Sequence, residues 1–416
     1  MTAGTGKPYL TLDDLVFDGK VTLLRVDINS PIVNGLIAGT DRIAAHADTV
    51  RELARRGART VVIGHQGRKG DDDFTSLKEH AEKLAEFSKV PVHFVDDVYG
   101  EKALSAMKTL ESGEALMLEN VRGVDAETKK GDRAAHARAP HVEALAKVAD
   151  VMVNDAFSAA HRAQATLVGF AERLPNAAGL QMDRELTALA KAVDDPEPPA
   201  VYFLGGAKPE DSIAVMRANF TKGTLDTALL GGVVANLFLV ARGQELPESS
   251  LDFMRKKGVM DLLPQAEKLL EDFDAGIVTP EDVAVRNTKG ERVNLWIEDL
   301  PGDGGPVLDI GDETIASYRE IIADAGSLMM NGPAGLYEEA PFAKGTKAVL
   351  QAFADSDAFS LMGGGHTITA IGQFGFTDAD FGYVSLAGGA LMSYLTGETL
   401  PAVEALRASK AKFGGK

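Results

Sequence analysis

Short apolar runs recur along the whole chain, and most of them stop at a polar or glycine-rich turn. In the first half they cover residues 21–28, 60–64, 115–118 and 151–153. Each is continuous and rich in aliphatic side chains, the pattern of a strand buried on both faces of a parallel sheet. Between them, residues 44–56 and 77–87 repeat small or apolar side chains at spacings of three and four, which predicts amphipathic helices, the second with Thr75 and Ser76 as caps. A polar stretch over 124–138 interrupts this βα series and is longer than an ordinary connection, so it is expected to be mobile or functional.

Residues 182–195 predict a helix closed by the Pro-rich run DDPEPPA, and their place between two βα series makes them the bridge between domains. The series then restarts, with strands expected at 201–204, 228–230, 328–330, 359–362 and 383–386 and helices at 313–325 and 346–354. Residues 283–285 and 293–297 flank NTKGE and predict a β-hairpin with Gly290 in its turn, an antiparallel addition to the second sheet.

Composition narrows the classes. A chain of 416 residues with 45% hydrophobic content suits two or three domains with sizeable cores. With no cysteine, disulfides, thiol nucleophiles and cysteine-held metal sites are excluded. A formal net charge of -18 disfavours nucleic acid as a partner, and no apolar run reaches the length of a membrane helix. With no basic-then-apolar leader either, a cytoplasmic protein is expected.

The two halves differ in how their strands end. First-half strands run into Asp27 and Asn29, His65 and Arg68, Arg122, then His161 and Arg162. The carboxyl ends of parallel strands meet at one crevice, so this placement predicts an anion site. Second-half strands run into GGAK, GGVVAN, NGPAG, GGGHT and AGGA, each opening a helix. Glycines there let a phosphate approach backbone N–H groups at a helix N-terminus, which predicts nucleotide binding. Neither a P-loop GxxxxGK[ST] nor a GxGxxG after the first strand occurs.

Through RVDINSP (25–31), GHQGR (64–68), LENVR (118–122), VNDAFSAAHR (153–162), LGGAK (204–208) and NGPAGLYE (331–338), the sequence resembles phosphoglycerate kinase over about residues 21–389. The resemblance implies an α/β fold: two Rossmann-like, three-layer α/β/α lobes with mostly parallel sheets, facing across a hinged cleft. The first, residues 1–180 with the tail 398–416 packed back on it, would hold 3-phosphoglycerate. The second, residues 181–397, would hold ATP or ADP with Mg2+. The implied reaction is reversible phosphoryl transfer from ATP to the carboxylate of 3-phosphoglycerate, giving 1,3-bisphosphoglycerate, by a monomer.

Carried over residue by residue, the resemblance assigns Asp27, Asn29, Arg42, His65, Arg68, Arg122, His161 and Arg162 to the phosphoglycerate pocket. Arg42 and, from the opposite lobe, Lys208 would reach the phosphoryl group in flight. Gly206 and Gly232 would flank the nucleotide base, and Ala207, Asn331, Pro333 and Glu338 would line the nucleotide, with Glu338 on the ribose. Gly364, Gly365, Gly388 and Gly389 would offer N–H groups to phosphate oxygens, Gly365 and Gly388 during transfer, beside His366 and Thr367. Two positions depart from the common family form: Ser212 replaces a lysine and His366 an aspartate. The turn 385–389 is SLAGG rather than SxGGG.

Other polar residues have plainer readings. Asp155 and Glu119 are expected to be structural, Trp296 to pack, and His46, His80, His93, His136 and His141 to be surface or core residues without metal spacing. Two rival functions remain distinct: a nucleotide-binding dehydrogenase, which lacks its fingerprint here, and a non-catalytic nucleotide binder, suggested by Ser212 and His366.

Overall fold

The computed structural model describes residues 6–300 and 305–414. They divide into two compact units, one running to Leu186 and resumed from Thr399, the other Thr187–Glu398. Each is built on its own six-stranded sheet.

In the first unit the strand order is Val92–Phe94, Ala115–Met117, Arg59–Ile63, Val21–Arg25, Val151–Asn154, Asn176–Ala178, and every pairing is parallel. Val21–Arg25 is buried along its whole length. Leu24 packs with Val62 and Val153 on one face, while Leu23, Val61 and Met152 pack on the other. Burial on both faces is why these runs show no polar alternation, and each large aliphatic side chain so buried stabilises the unit by ~1.5–3 kcal/mol. The register sets Arg25 opposite Ile63 and Asn154. Three strands therefore end level, and their following loops share one edge of the sheet.

The helix expected over 44–56 is two helices, Asp41–Ala45 and Ala47–Arg55, parted at His46. The His46 ring turns inward, with Nδ1 2.7 Å from Asp155 Oδ2 and Nε2 accepting from the Asp27 N–H at 3.1 Å. Periodicity cannot reveal that bond. The next helix is Lys78–Ser88; Leu77 occupies its N-cap, and Ser76 offers its hydroxyl to the Lys78 N–H at 3.3 Å. The C-terminal helix Pro401–Phe413 belongs to this unit. Ser409 Oγ accepts from the N–H of Asn176 at 2.8 Å, and the Ala402 N–H donates to the Ala160 carbonyl at 3.1 Å.

In the second unit the order is Ile277–Val278, Thr227–Leu230, Ala200–Leu204, Ser327–Asn331, Phe359–Gly363, Tyr383–Val384, again all parallel. The chain reverses direction across the sheet between Ala200–Leu204 and Ser327–Asn331, the switch point where open α/β sheets bind ligands. Phe203, Met330 and Met362 are fully buried beneath it. The helix expected over 182–195 is α-helical as Leu180–Leu189 and then loosens into a π-helical turn, Ala190–Asp194.

Two expectations fail here. The hairpin strands Asp282–Arg286 and Arg292–Trp296 do not extend the second sheet; with Val307–Ile310 they form a separate three-stranded antiparallel sheet. Both edges of Asp282–Arg286 are taken by these two neighbours. Trp296 is not packed but 51% exposed.

No helix among the described residues is long and apolar enough to cross a membrane.

Candidate functional site

Each unit carries a candidate site at the carboxyl edge of its sheet. In the first unit the level strand ends gather cations. Arg25, the last residue of Val21–Arg25, is completely buried. Its Nε donates to Thr166 Oγ1 at 2.9 Å, one terminal nitrogen donates to the Val26 carbonyl, and the other lies 3.0 Å from His65 Nδ1. Two residues on, Asp27 accepts from Arg42 at 3.2 Å and from the Ser158 hydroxyl, while His65 Nε2 stands 3.6 Å from its other oxygen. Asn29 Oδ1 accepts from the Gly67 N–H at 2.8 Å, joining the loops after the first two strands. Arg122 donates to the Gly67 carbonyl, leaving its buried Nε without a partner. Arg162 Nε donates to His161 Nε2 at 3.1 Å, and Arg68 is exposed.

Electrostatics confirm that these groups are close. Burial lowers the Arg122 pKa to about 10, helped by repulsion from Arg162, Arg25 and Arg68. Burial also lowers that of Arg25, against the attraction of Glu127 and Asp27. His65 is held well below its ordinary value by burial and by Arg25, Arg122 and Arg162, so its ring is neutral. Burial works against an ionised Asp27, but the surrounding His65, Arg42, Ser158 and Arg25 outweigh it and hold the carboxyl below its usual range. Five guanidinium groups linked by these interactions (Arg25, Arg42, Arg68, Arg122, Arg162) are thus matched by two carboxylates, Asp27 and Glu127, a positive surplus of about three over the cluster. That surplus suits a small, multiply charged anion.

Sequence reasoning missed Arg25, Ser158, Glu127 and Thr166 in this site. An arginine closing an apolar strand was a readable signal for Arg25. Nothing local marks the other three. Asp155 is structural as expected: beside His46, it accepts from the N–H groups of Gln181 and Met182 at 2.8 and 3.2 Å, capping the helix Leu180–Leu189. Glu119 likewise holds Ser76 and the Leu77 N–H. His46, His80, His136 and His141 are buried, and His93 is exposed.

The second unit holds a cleft of about 890 Å³. Its floor is three interlocked loops: Gly205 N–H donates to the Asn331 carbonyl, Gly206 to Pro333, Gly232 to Ala334 and Val233 to Gly206, at 2.7–2.9 Å. Gly232 has φ +57°, and a Cβ there would meet Gly206 backbone atoms at 2.9 Å. The helices Pro209–Lys222, Gly232–Ala241, Gly365–Gln373 and Gly388–Leu395 all begin at this cleft. A Cβ at Gly365 or Gly388 would meet nothing, so both N-termini stand bare. Orphan N–H groups on bare helix N-termini are a ready receptor for phosphate oxygens.

Gly206, Ala207, Lys208, Gly232, Asn331 and Pro333 line the cleft, as do Glu338, Gly364, Gly365, His366, Gly388 and Gly389. Thr367 does not. It is fully buried, and its hydroxyl accepts from the Gly332 N–H at 2.9 Å, supporting the loop from beneath. Lys208 is exposed at the N-cap of its helix. His366 is largely exposed, with Nδ1 3.2 Å from the Tyr337 hydroxyl and 3.8 Å from Glu338. Asn236, which closes the GGVVAN turn, also lines the cleft, as do Phe253, Leu308 and Asp309, which carried no sequence signal.

A magnesium cage is not built from these side chains. Among the described residues no cluster of three metal-ligating side chains occurs. Asp309, whose pKa burial raises to about 6, already accepts from Arg292 at 2.6 Å, Gly345 N–H at 2.8 Å and Ile310 N–H at 3.0 Å. Imidazole at His366 is a poor ligand for an ion that prefers oxygen.

The sequence profile of the phosphoglycerate kinase family matches residues 12–398. The phosphoglycerate kinase of Methanopyrus kandleri is 45% identical over 396 residues, 95% of this chain and 97% of the relative. That of Natronomonas pharaonis is 44% identical over 397 residues, 95% and 99%. The crystal structure of phosphoglycerate kinase from Pyrococcus horikoshii OT3 superposes with a TM-score of 0.85 at 40% identity, covering 97% of this chain and all of that one. The Coxiella burnetii phosphoglycerate kinase structure gives 0.82 at 31% identity, covering 96% and 99%. With two parallel α/β units, a cationic cluster in one and a glycine-lined cleft in the other, the chain belongs to the phosphoglycerate kinase family.

Proposed function

We propose that this family member transfers a phosphoryl group reversibly between ATP, held in the glycine-lined cleft of residues 187–398, and the carboxylate of 3-phosphoglycerate, held by the cationic cluster of the first unit. The observation that carries the reading is the excess of guanidinium groups over carboxylates in that cluster, five against two, which suits a substrate bearing one phosphate and one carboxylate. Arg122, Arg162 and Arg68 grip the anion, and His65 and Asn29 orient it. Asp27 is spoken for by Arg42 and Ser158 and sets where Arg42 points.

The attacking carboxylate is ionised at neutral pH, so no general base is needed. Positioning and charge dispersal do the catalytic work. Arg42 and Lys208 stabilise charge on the group in flight, and the N-termini at Gly365 and Gly388 hold the phosphate oxygens it leaves behind. Magnesium, when bound, would neutralise charge on the nucleotide phosphates, and with so few oxygen donors free at the cleft among the described residues the nucleotide itself would be its main ligand. The working expectation for the whole protein is a cytoplasmic monomer.

The test is turnover by purified protein given 3-phosphoglycerate and MgATP, read through an enzyme that consumes 1,3-bisphosphoglycerate. Arg42→Ala and Lys208→Ala should each lower kcat by roughly a hundredfold or more with the fold retained. Wild-type protein without turnover, or either variant at full rate, would overturn the assignment. Direct reduction of a nicotinamide cofactor would favour the dehydrogenase rival instead.

A further inference from the structure

Glu127 lies in the long polar stretch between the fourth and fifth strands of the first sheet, yet it is completely buried. Its Oε1 accepts from the Thr166 hydroxyl at 2.7 Å, and its Oε2 accepts from the Thr166 N–H at 3.0 Å and faces His141 Nε2 at 3.0 Å. Because the Thr166 hydroxyl gives its proton to Glu127, its lone pair faces Arg25 Nε at 2.9 Å. Arg25 then reaches His65 Nδ1 at 3.0 Å. A guanidinium can only donate. His65 Nδ1 must therefore accept, and the proton of the neutral ring sits on Nε2, 3.6 Å from Asp27 Oδ1. Each donor and acceptor role along this chain follows from the one before it.

We propose that Glu127 and Thr166 are positioning residues for the anion pocket: through Arg25 they lock His65 as its Nε2–H tautomer, facing Asp27 and the bound acid. Glu127 also supplies a buried counter-charge for Arg25. Without it that guanidinium would lean on Asp27, which Arg42 and Ser158 already use. A buried cation left unpaired is costly enough to move. The inference rests on reading the cluster as the phosphoglycerate site, but the tautomer can be measured without any turnover.

The experiment uses full-length protein with 15N-labelled histidine, the His65 signals being assigned by their loss in His65→Gln. Long-range 1H–15N correlation at neutral pH should show Nε2–H in the wild type and in Thr166→Ser, and a shift toward Nδ1–H in Thr166→Val. In steady state, Thr166→Val and Glu127→Gln should raise KM for 3-phosphoglycerate by roughly tenfold while KM for ATP stays within about twofold, and Thr166→Ser should restore it. Glu127→Gln places an amide inside a buried network and risks misfolding; Thr166→Val matches threonine in volume and keeps the test open. An Nδ1–H tautomer in the wild type overturns the proposal. So does Thr166→Val that changes neither tautomer nor KM, or that raises both KM values alike. Absence of turnover with 3-phosphoglycerate would sink the functional reading while the tautomer measurement still decides this one.

Discussion

His80 carries a pH-sensitive part of the first unit's stability. It is buried with Nε2 3.1 Å from Gln66 Oε1, and the same oxygen accepts from the Ser30 N–H at 2.8 Å, which ties down the loop carrying Asn29. Burial lowers its pKa from 6.5 to about 4. A base whose folded value is depressed binds fewer protons folded than unfolded, so its stability is fully present above pH 6.5 and is lost as the pH falls toward 4. The loss over that window amounts to at most about 3 kcal/mol. Urea unfolding should therefore show wild type losing stability relative to His80→Gln as the pH falls through that window, whatever their difference at neutral pH; parallel curves would refute the assignment. Single residues were unevenly legible. His65, Arg122 and Arg162 stand at strand ends or in motifs and could be read, and Arg42 came only through the family resemblance, whereas the burial of His80, Glu127 and Thr166 depends on distant neighbours.

At the scale of elements, the glycine turns of the second unit do two different jobs. Gly232 is required by backbone geometry, since its φ is +57° and a methyl group would strike Gly206. Gly365 has open space where a Cβ would go, so it keeps a helix end bare. Gly232→Ala should cost ~1–3 kcal/mol of stability and lower the melting temperature as well as nucleotide affinity. Gly365→Ala should leave the melting temperature within error yet weaken nucleotide binding. Thermal melts with ADP titration check both, and a destabilised Gly365→Ala would contradict the distinction. Element type was legible where two-sided burial left a continuous apolar run, as in Ala200–Leu204 and the three-residue Ala115–Met117. It was not legible for the equally short strands Val92–Phe94 and Asn176–Ala178, where His93 and Asn176 interrupt the run. Nor could the hairpin's sheet be foreseen, because its partner strand Val307–Ile310 is separated from it in the chain.

On the scale of the whole molecule, a net charge of -18 coexists with a local positive surplus. The overall charge repels an anionic substrate at long range, and the cluster attracts it at short range. Partly exposed cations are screened as the Debye length falls from about 10 Å at 0.1 M salt to about 3 Å at 1 M. KM for 3-phosphoglycerate should thus climb several-fold between about 0.1 M and about 1 M KCl. A flat KM over that range would mean the cluster is shielded from solvent ions or is not the binding site.

The sequence by itself determined that the chain builds parallel α/β sheets, that ligand-facing residues sit at strand ends, and which family it joins. Continuous apolar runs and the turns after them are local features, and local sequence encodes them. Only the tertiary structure decided that Arg25, Glu127, Thr166 and His65 form one hydrogen-bonded chain and that His46 breaks a helix to meet Asp155. The partner of a buried polar group is whatever the fold carries to it, and these partners lie up to 141 residues apart.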